Sequence, residues 1–300
     1  MTSNLDLRGV WVPLITPFTA DDKVDVAAIE RLCGEYLAAG AVGIVALGTT
    51  AEAAALEEDE KRVVIDTVAR VCGAAGSRVI VGTGSYNTRH TIEASEALED
   101  ISAVVGALVV VPYYVRPSEE GIVRHFKAVA AASPVPLVLY NVPYRTGRSM
   151  GAGAILELAN TPNIAGIKQA VGSLDADTLR VLNEAPSSFG VLGGEDAILF
   201  QIAALGGVGA IAASAHACTE RVVEMIECGI AGKLDDGRAH AAALLPVVEA
   251  GFAEPNPAVW KGVLHAQGRI ATPDLRLPMT NASPAAIDRC LDAIARATTS

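Results

Sequence analysis

Lys168 is a lone cation in an apolar run, Ile164-Ala165-Gly166-Ile167-Lys168-Gln169-Ala170. Burying an ammonium is costly unless it is paired or neutral. Desolvation lowers an amine pKa, so a buried lysine can offer a free-base nucleophile near neutral pH. The matching chemistry is imine formation with a carbonyl compound. Position alone also suits a lysine that reaches out from a strand end, or one paired with Glu52 or Glu195. Tyr140 closes the preceding apolar run. A phenol beside such a lysine can shuttle the protons that carbinolamine formation and dehydration require, and it can equally be a packing residue. Thr49 and Thr50 follow Gly48. Their hydroxyls and turn amides suit a small carboxylate, or ordinary capping of a turn. Arg145, in Tyr144-Arg145-Thr146-Gly147, is the residue type for bidentate carboxylate recognition, and is also a common surface residue.

Other chemistries find less support. The histidines His90, His125, His216, His240 and His265 show no H-E-x-x-H or similar metal-ligand spacing, so no metal is implied. His216 closes an apolar run and is a candidate for lining a site, whereas the other four fall in helical patterns. There is no G-x-S-x-G elbow. Cys33, Cys72, Cys218, Cys228 and Cys290 form no C-x-x-C pair and read as small apolar residues in a reducing compartment.

These residues need a scaffold that aims them at one place. Short β-branched apolar runs at Gly9–Phe18, Gly43–Gly48, Arg78–Gly84, Ala107–Tyr114, Pro136–Val142, Ile164–Ala170, Phe189–Gly194 and Gly207–Ala213 read as strands buried on both faces. Helical spacing of apolar residues separates them, at Asp25–Ala39, Glu57–Val71, Asn87–Ala103, Ser118–Ala132, Gly151–Asn160, Leu174–Glu184, Asp196–Leu205 and Thr219–Ile230. Eight strand–helix units predict a (β/α)₈ TIM barrel. A doubly wound sheet would carry a glycine-rich phosphate turn after its first strand, and here that strand ends in Thr16-Pro17-Phe18. No cofactor is expected. The barrel is expected to occupy residues 1–232. A helical C-terminal appendage, with helices at Leu234–Glu249, Pro257–Gln267 and Pro284–Ala297, is expected over residues 233–300. In a barrel the functional face lies at the C-terminal ends of the strands, and Thr49, Tyr140, Lys168, Glu195 and His216 all fall there.

The net charge of −11 opposes nucleic-acid binding. The start of the chain has no basic segment leading into an apolar one, and no apolar run is long enough to span a bilayer. The expected location is cytoplasmic, with no membrane partner.

In order and spacing, these motifs resemble the dihydrodipicolinate synthase/N-acetylneuraminate lyase family. The shared segments are Gly9-Val10, Ile15-Thr16-Pro17-Phe18, Gly48-Thr49-Thr50-Ala51-Glu52, Gly82-Thr83-Gly84, Pro112-Tyr113-Tyr114, Tyr140 to Gly147, Gly166-Ile167-Lys168, Glu254-Pro255-Asn256-Pro257 and Leu275 to Met279. The resemblance implies that Lys168 forms a Schiff base with pyruvate. It implies a proton relay of Thr49, Tyr140 and Tyr114, with Tyr114 reaching in from a neighbouring subunit of a homotetramer built as a dimer of dimers. Thr50 would help hold the pyruvate carboxylate, Ile211 would contact substrate, and Arg145 would bind the carboxylate of aspartate semialdehyde. The Arg-Thr-Gly after Tyr144 resembles the synthase branch, which makes 4-hydroxy-tetrahydrodipicolinate for lysine biosynthesis.

The sequence departs from the family pattern at several points. Ala51 stands at a usual glycine, which would strain the turn if that position needs a positive φ. Val115 and His216 stand where asparagine is common, and Gln169 where glutamate is frequent. Residues matching the lysine-inhibition site of relatives are Glu58, Lys61, Tyr86 and His90, and Lys61 and His90 are poor partners for an ammonium. Two other functions share this sequence pattern. One is a pyruvate-dependent aldolase or dehydratase for a 2-keto-3-deoxy sugar acid or related aldehyde adduct. The other is a catalytically silent paralogue with a binding role.

Overall fold

A computed structural model describes residues 5–299. The apolar runs form eight parallel strands, β1 (Gly9–Pro13), β2 (Gly43–Ala46), β3 (Arg78–Gly82), β4 (Val104–Val110), β5 (Leu137–Asn141), β6 (Ile164–Gln169), β7 (Gly190–Gly193) and β8 (Gly209–Ile211). They pair in chain order and β8 returns to β1, closing a (β/α)₈ barrel. Between and around them lie α1 (Val26–Ala38), α2 (Glu58–Ala74), α3 (Thr88–Glu96), α4 (Glu119–Ala132), α5 (Pro143–Thr146), α6 (Ala152–Ala159), α7 (Ala176–Glu184), α8 (Leu199–Ala204) and α9 (Ala215–Ile230). After these come α10 (Leu234–Gly251), α11 (Ala258–Ala266) and α12 (Pro284–Thr299). Among the described residues, no helix is long and apolar enough to cross a membrane.

The helix starts are written in short polar side chains. Asp25, Asn87, Ser118 and Asp175 each accept a hydrogen bond from a backbone N–H in the first turn of the helix that follows. Glu57 and Glu60 cap α2 reciprocally.

Closing the sheet creates two cores. Alternate strand residues such as Val10, Ile44, Val79, Val109 and Leu139 point outward and pack under the helices. Their neighbours Trp11, Val45, Ile80, Leu108, Val138, Leu192 and Ile211 point inward and fill the barrel. Trp11 is wholly buried and its indole N–H donates to Leu7 O at 3.0 Å. Gly43 makes room for it, because a Cβ there would stand 2.5 Å from both the Trp11 ring and Arg78 O.

Some boundaries differ from the sequence pattern. β1 ends at Pro13, although the apolar run continues to Phe18. Leu14, Ile15 and Phe18 are buried by packing beyond the end of the ladder. α3 stops at Glu96 and gives way to turns before β4. The segment read as a helix from Asp196 begins as a short 3₁₀ turn, Asp196–Ile198, before α8. α5 falls between the expected strand to Val142 and the expected helix from Gly151, where a proline at its start and Gly147 at φ 70° at its end define one helical turn.

Candidate active site

Register places Lys168 and Tyr140 side by side. They are paired residues on β6 and β5, and paired residues on adjacent parallel strands point to the same face, here the interior. Lys168 Nζ lies 4.5 Å from the centre of the Tyr140 ring. Their exposures are 8% and 6%, so neither group relies on water.

Lys168 makes no ion pair among the described residues. Glu52, one partner allowed by the sequence, is bonded to Lys261 instead, at 2.8 Å. Glu195 is half-buried and acts on Lys168 only as a nearby charge. Asp196 is buried, but its carboxylate accepts from the Ser214 backbone N–H at 2.7 Å and the Ala213 N–H at 3.4 Å. It pins the turn after β8. Burial therefore dominates Lys168 and brings the amine down to about 8, against the opposing pull of Asp196 and Glu195 and with help from Arg145. Burial also pushes the Tyr140 phenol up, while Thr49, as a hydrogen-bonding neighbour, and the Arg145 charge pull it down.

The stem of Lys168 needs space as well. A Cβ on Gly194 would stand 2.6 Å from Lys168 Cγ and 2.7 Å from Cε. Glycine at the end of β7 is what allows the lysine to stand upright.

Thr49 and Thr50 occupy a 3₁₀ turn, Thr49–Ala51, directly after Gly48. Thr49 is exposed at the mouth and Thr50 is buried, with its Oγ1 accepting from Asn256 Nδ2 at 3.0 Å. Arg145 lies on α5, just beyond Tyr140. Its Nε donates to Tyr144 Oη at 3.0 Å, and both side chains are exposed. Ile211 ends β8 and belongs to the same interior cluster as Tyr140. Tyr114 is not gathered with these residues within one chain. It is 87% exposed and holds φ 65° in the segment after β4.

Two sequence expectations are corrected. Ala51 carries no strain, because the left-handed residue of the turn is Glu52, at φ 55°. His216 does not line the site. It is wholly buried, its Nε2 accepts from the Ile15 N–H at 3.2 Å, and its Nδ1 pairs with Ala213 O at 2.9 Å. It packs edge-on against Tyr36, and burial brings it down to about 4, so it is a neutral structural tie.

Gln169 has a comparable structural role. Its Oε1 accepts from Asn141 at 3.1 Å and its Nε2 donates to Thr178 at 2.9 Å, while Asn141 also accepts from the Met150 N–H at 3.2 Å. An amide serves this chain by donating and accepting at once. Asn256 lies in a segment the sequence had already marked, and Gly194 and Asp196 close a strand end, but sequence reading gave none of them a role, because their partners lie elsewhere in the chain. A cavity of about 490 Å³ opens at the opposite end of the barrel, near Leu7, Ser187 and Gly207, and holds none of the residues singled out above.

Fold and site together describe a (β/α)₈-barrel enzyme with a buried amine at its mouth. The chain belongs to the dihydrodipicolinate synthetase family, which it matches over residues 6–297. It is 40% identical over 274 residues to the 4-hydroxy-tetrahydrodipicolinate synthase of Moorella thermoacetica, covering 91% of this chain and 92% of the relative. Among solved structures, the chloride-inhibited dihydrodipicolinate synthase of Acinetobacter baumannii complexed with pyruvate superposes with a TM-score of 0.93 at 33% identity, covering 97% of this chain and 99% of that one. A monomeric dihydrodipicolinate synthase variant superposes with a TM-score of 0.92 at 30% identity, covering 97% of each chain.

The burial of Lys168 has a direct consequence. Its reactivity toward trace acetic anhydride in competitive labelling should rise with pH through a midpoint near 8, because burial lowers the pKa of the ammonium, which is protonated and unreactive below that pH and a free amine above it. A midpoint at the ordinary lysine value of about 10.4 would show that the amine is solvated.

Proposed function

We propose that this enzyme condenses pyruvate with aspartate semialdehyde to give 4-hydroxy-tetrahydrodipicolinate in lysine biosynthesis, through a Schiff base on Lys168. The observation that carries the reading is a buried Lys168 with no ion pair among the described residues, in register with Tyr140. The Lys168 amine attacks the keto carbon of pyruvate. Tyr140 and Thr49 move the proton that lets the carbinolamine lose water, leaving an imine. Loss of a methyl proton gives the enamine. Its carbon attacks the aldehyde, and the amino group of the second substrate then closes the ring and releases Lys168 as the free amine.

Thr50 helps to hold the pyruvate carboxylate and Ile211 lines the apolar side of the pocket. Arg145 takes the carboxylate of aspartate semialdehyde. Its guanidinium charge acts on both Tyr140 and Lys168, which supports that role. Residues 1–232 then act as the catalytic barrel and 233–300 as its support. The free cysteines, most of them buried, suit the reducing cytoplasm.

Tyr114 fits the relay only from another subunit. Tyr114, Val115 and Tyr86 are 87%, 53% and 51% exposed, an apolar surface that a second copy would cover. The proposed assembly is a homotetramer, a dimer of dimers.

A coupled assay with pyruvate and aspartate semialdehyde should show turnover. Arg145→Ala should raise the KM for the aldehyde by roughly ten-fold or more, as expected for loss of a charge-assisted bond, with little change for pyruvate. Turnover of a 2-keto-3-deoxy sugar acid without turnover of aspartate semialdehyde would sink the assignment. Sedimentation equilibrium should give a tetramer, and a monomer that retains full activity would remove Tyr114 from the relay. Lysine should not inhibit at sub-millimolar concentration, because Lys61 and His90 at the matching positions are poor partners for an ammonium. Inhibition in that range would reverse this part of the reading.

A further inference from the structure

The C-terminal helices reach the mouth of the barrel through side chains that the chemistry above does not use. Asn256, between α10 and α11, donates to Thr50 Oγ1 at 3.0 Å. Lys261, on α11, is wholly buried and donates to Glu52 Oε1 at 2.8 Å, with its ammonium 4.1 Å from the centre of the Phe18 ring. The second Glu52 oxygen accepts from the Arg276 backbone N–H at 3.0 Å. The Arg276 guanidinium donates to Ala55 O at 3.2 Å, to Asp22 O at 2.7 Å and to Glu60 Oε1 at 2.6 Å. Thr16, within the barrel, donates to Ala51 O at 2.7 Å. The segment from Thr50 to Ala55 is thus held mostly from the C-terminal region.

Two features of this clamp bear on substrate rather than on stability alone. A buried ion pair seldom stabilises a fold more than an apolar pair of the same shape would, so Lys261 and Glu52 chiefly fix geometry. They do so at a left-handed glutamate, a conformation that persists only where its surroundings enforce it. The bond from Asn256 has a chemical effect as well. An amide N–H occupies one acceptor lone pair of the Thr50 hydroxyl, which leaves the hydroxyl proton as a donor for something else.

We propose that Asn256 is a positioning residue for the pyruvate carboxylate: it turns the Thr50 hydroxyl into a donor toward that carboxylate, and the buried Lys261–Glu52 pair holds the turn in place for it. This rests on the assignment of pyruvate to the site. The C-terminal region is therefore part of the substrate-recognition machinery, and its Glu254-Pro255-Asn256-Pro257 and Leu275 to Met279 segments carry that role.

Steady-state kinetics on the full-length enzyme tests the proposal. Asn256→Ala should raise the KM for pyruvate about five-fold, the effect of losing one hydrogen bond, and leave the KM for aspartate semialdehyde unchanged. Thr50→Val should raise the pyruvate KM at least as much, and the double variant should be no worse than Thr50→Val alone. An unchanged pyruvate KM in Asn256→Ala, or additive effects in the double variant, overturns the proposal. The paired variant Lys261→Met/Glu52→Gln removes both buried charges without orphaning either. It should fold and raise the pyruvate KM, and a wild-type KM in that variant refutes the part assigned to the pair. Absence of wild-type turnover, or a pyruvate KM unaffected by Thr50→Val, would instead strike at the underlying assignment and take this proposal with it.

Discussion

The structure is organised around one amine buried without a carboxylate to neutralise it. Lys168 sits at the C-terminal end of β6 with 8% exposure and no ion pair among the described residues. The nearby acids are kept from quenching it. Asp196 is bound to backbone amides, Glu195 remains partly solvated, and Glu52 is committed elsewhere. Desolvation therefore decides the protonation state of Lys168, and the amine is brought down to about 8. Lys261 makes the contrast. It is more deeply buried still, and burial lowers it too, but Glu52 at 2.8 Å pulls the other way and ties it into an ion pair. Two lysines in one protein thus serve opposite ends, set by whether a carboxylate is within reach.

The barrel supplies what the amine needs. Parallel register puts Tyr140 beside it on the same face, so a phenol is held next to the amine by the strands themselves. Gly194 clears the space for its stem, and Trp11 and Ile211 fill the interior beneath the mouth. The helices after β8 close the arrangement from outside, by fixing the turn that carries Thr49 and Thr50. Under the proposed roles, the reacting groups sit on strand ends and the binding groups on braced turns, so the precision of the site comes from the scaffold.

Much of this was legible in the chain. Eight apolar runs separated by helical periodicity led to the barrel, and strand ends led to Lys168, Tyr140 and the Thr49-Thr50 turn. The ambiguity over Lys168 could not be resolved there, because the competing partner of Glu52 lies on α11, far along the chain. His216 looked like a site residue from its place at a strand end, but tertiary packing turned it inward against Tyr36. Ala51 looked strained because a glycine preference reports φ, and sequence does not say which residue of a turn takes the left-handed conformation. The single turn of α5 escaped notice because one helical turn has no periodicity to read. Boundaries shifted wherever residues such as Leu14 and Phe18 are buried by packing outside the ladder.

The most direct test is reduction with borohydride in the presence of pyruvate, followed by peptide mass mapping. The account predicts a single pyruvate-derived adduct on Lys168, none on Lys261, and none at all in Lys168→Ala. An adduct on a different lysine, or no adduct in the wild-type enzyme, would contradict it.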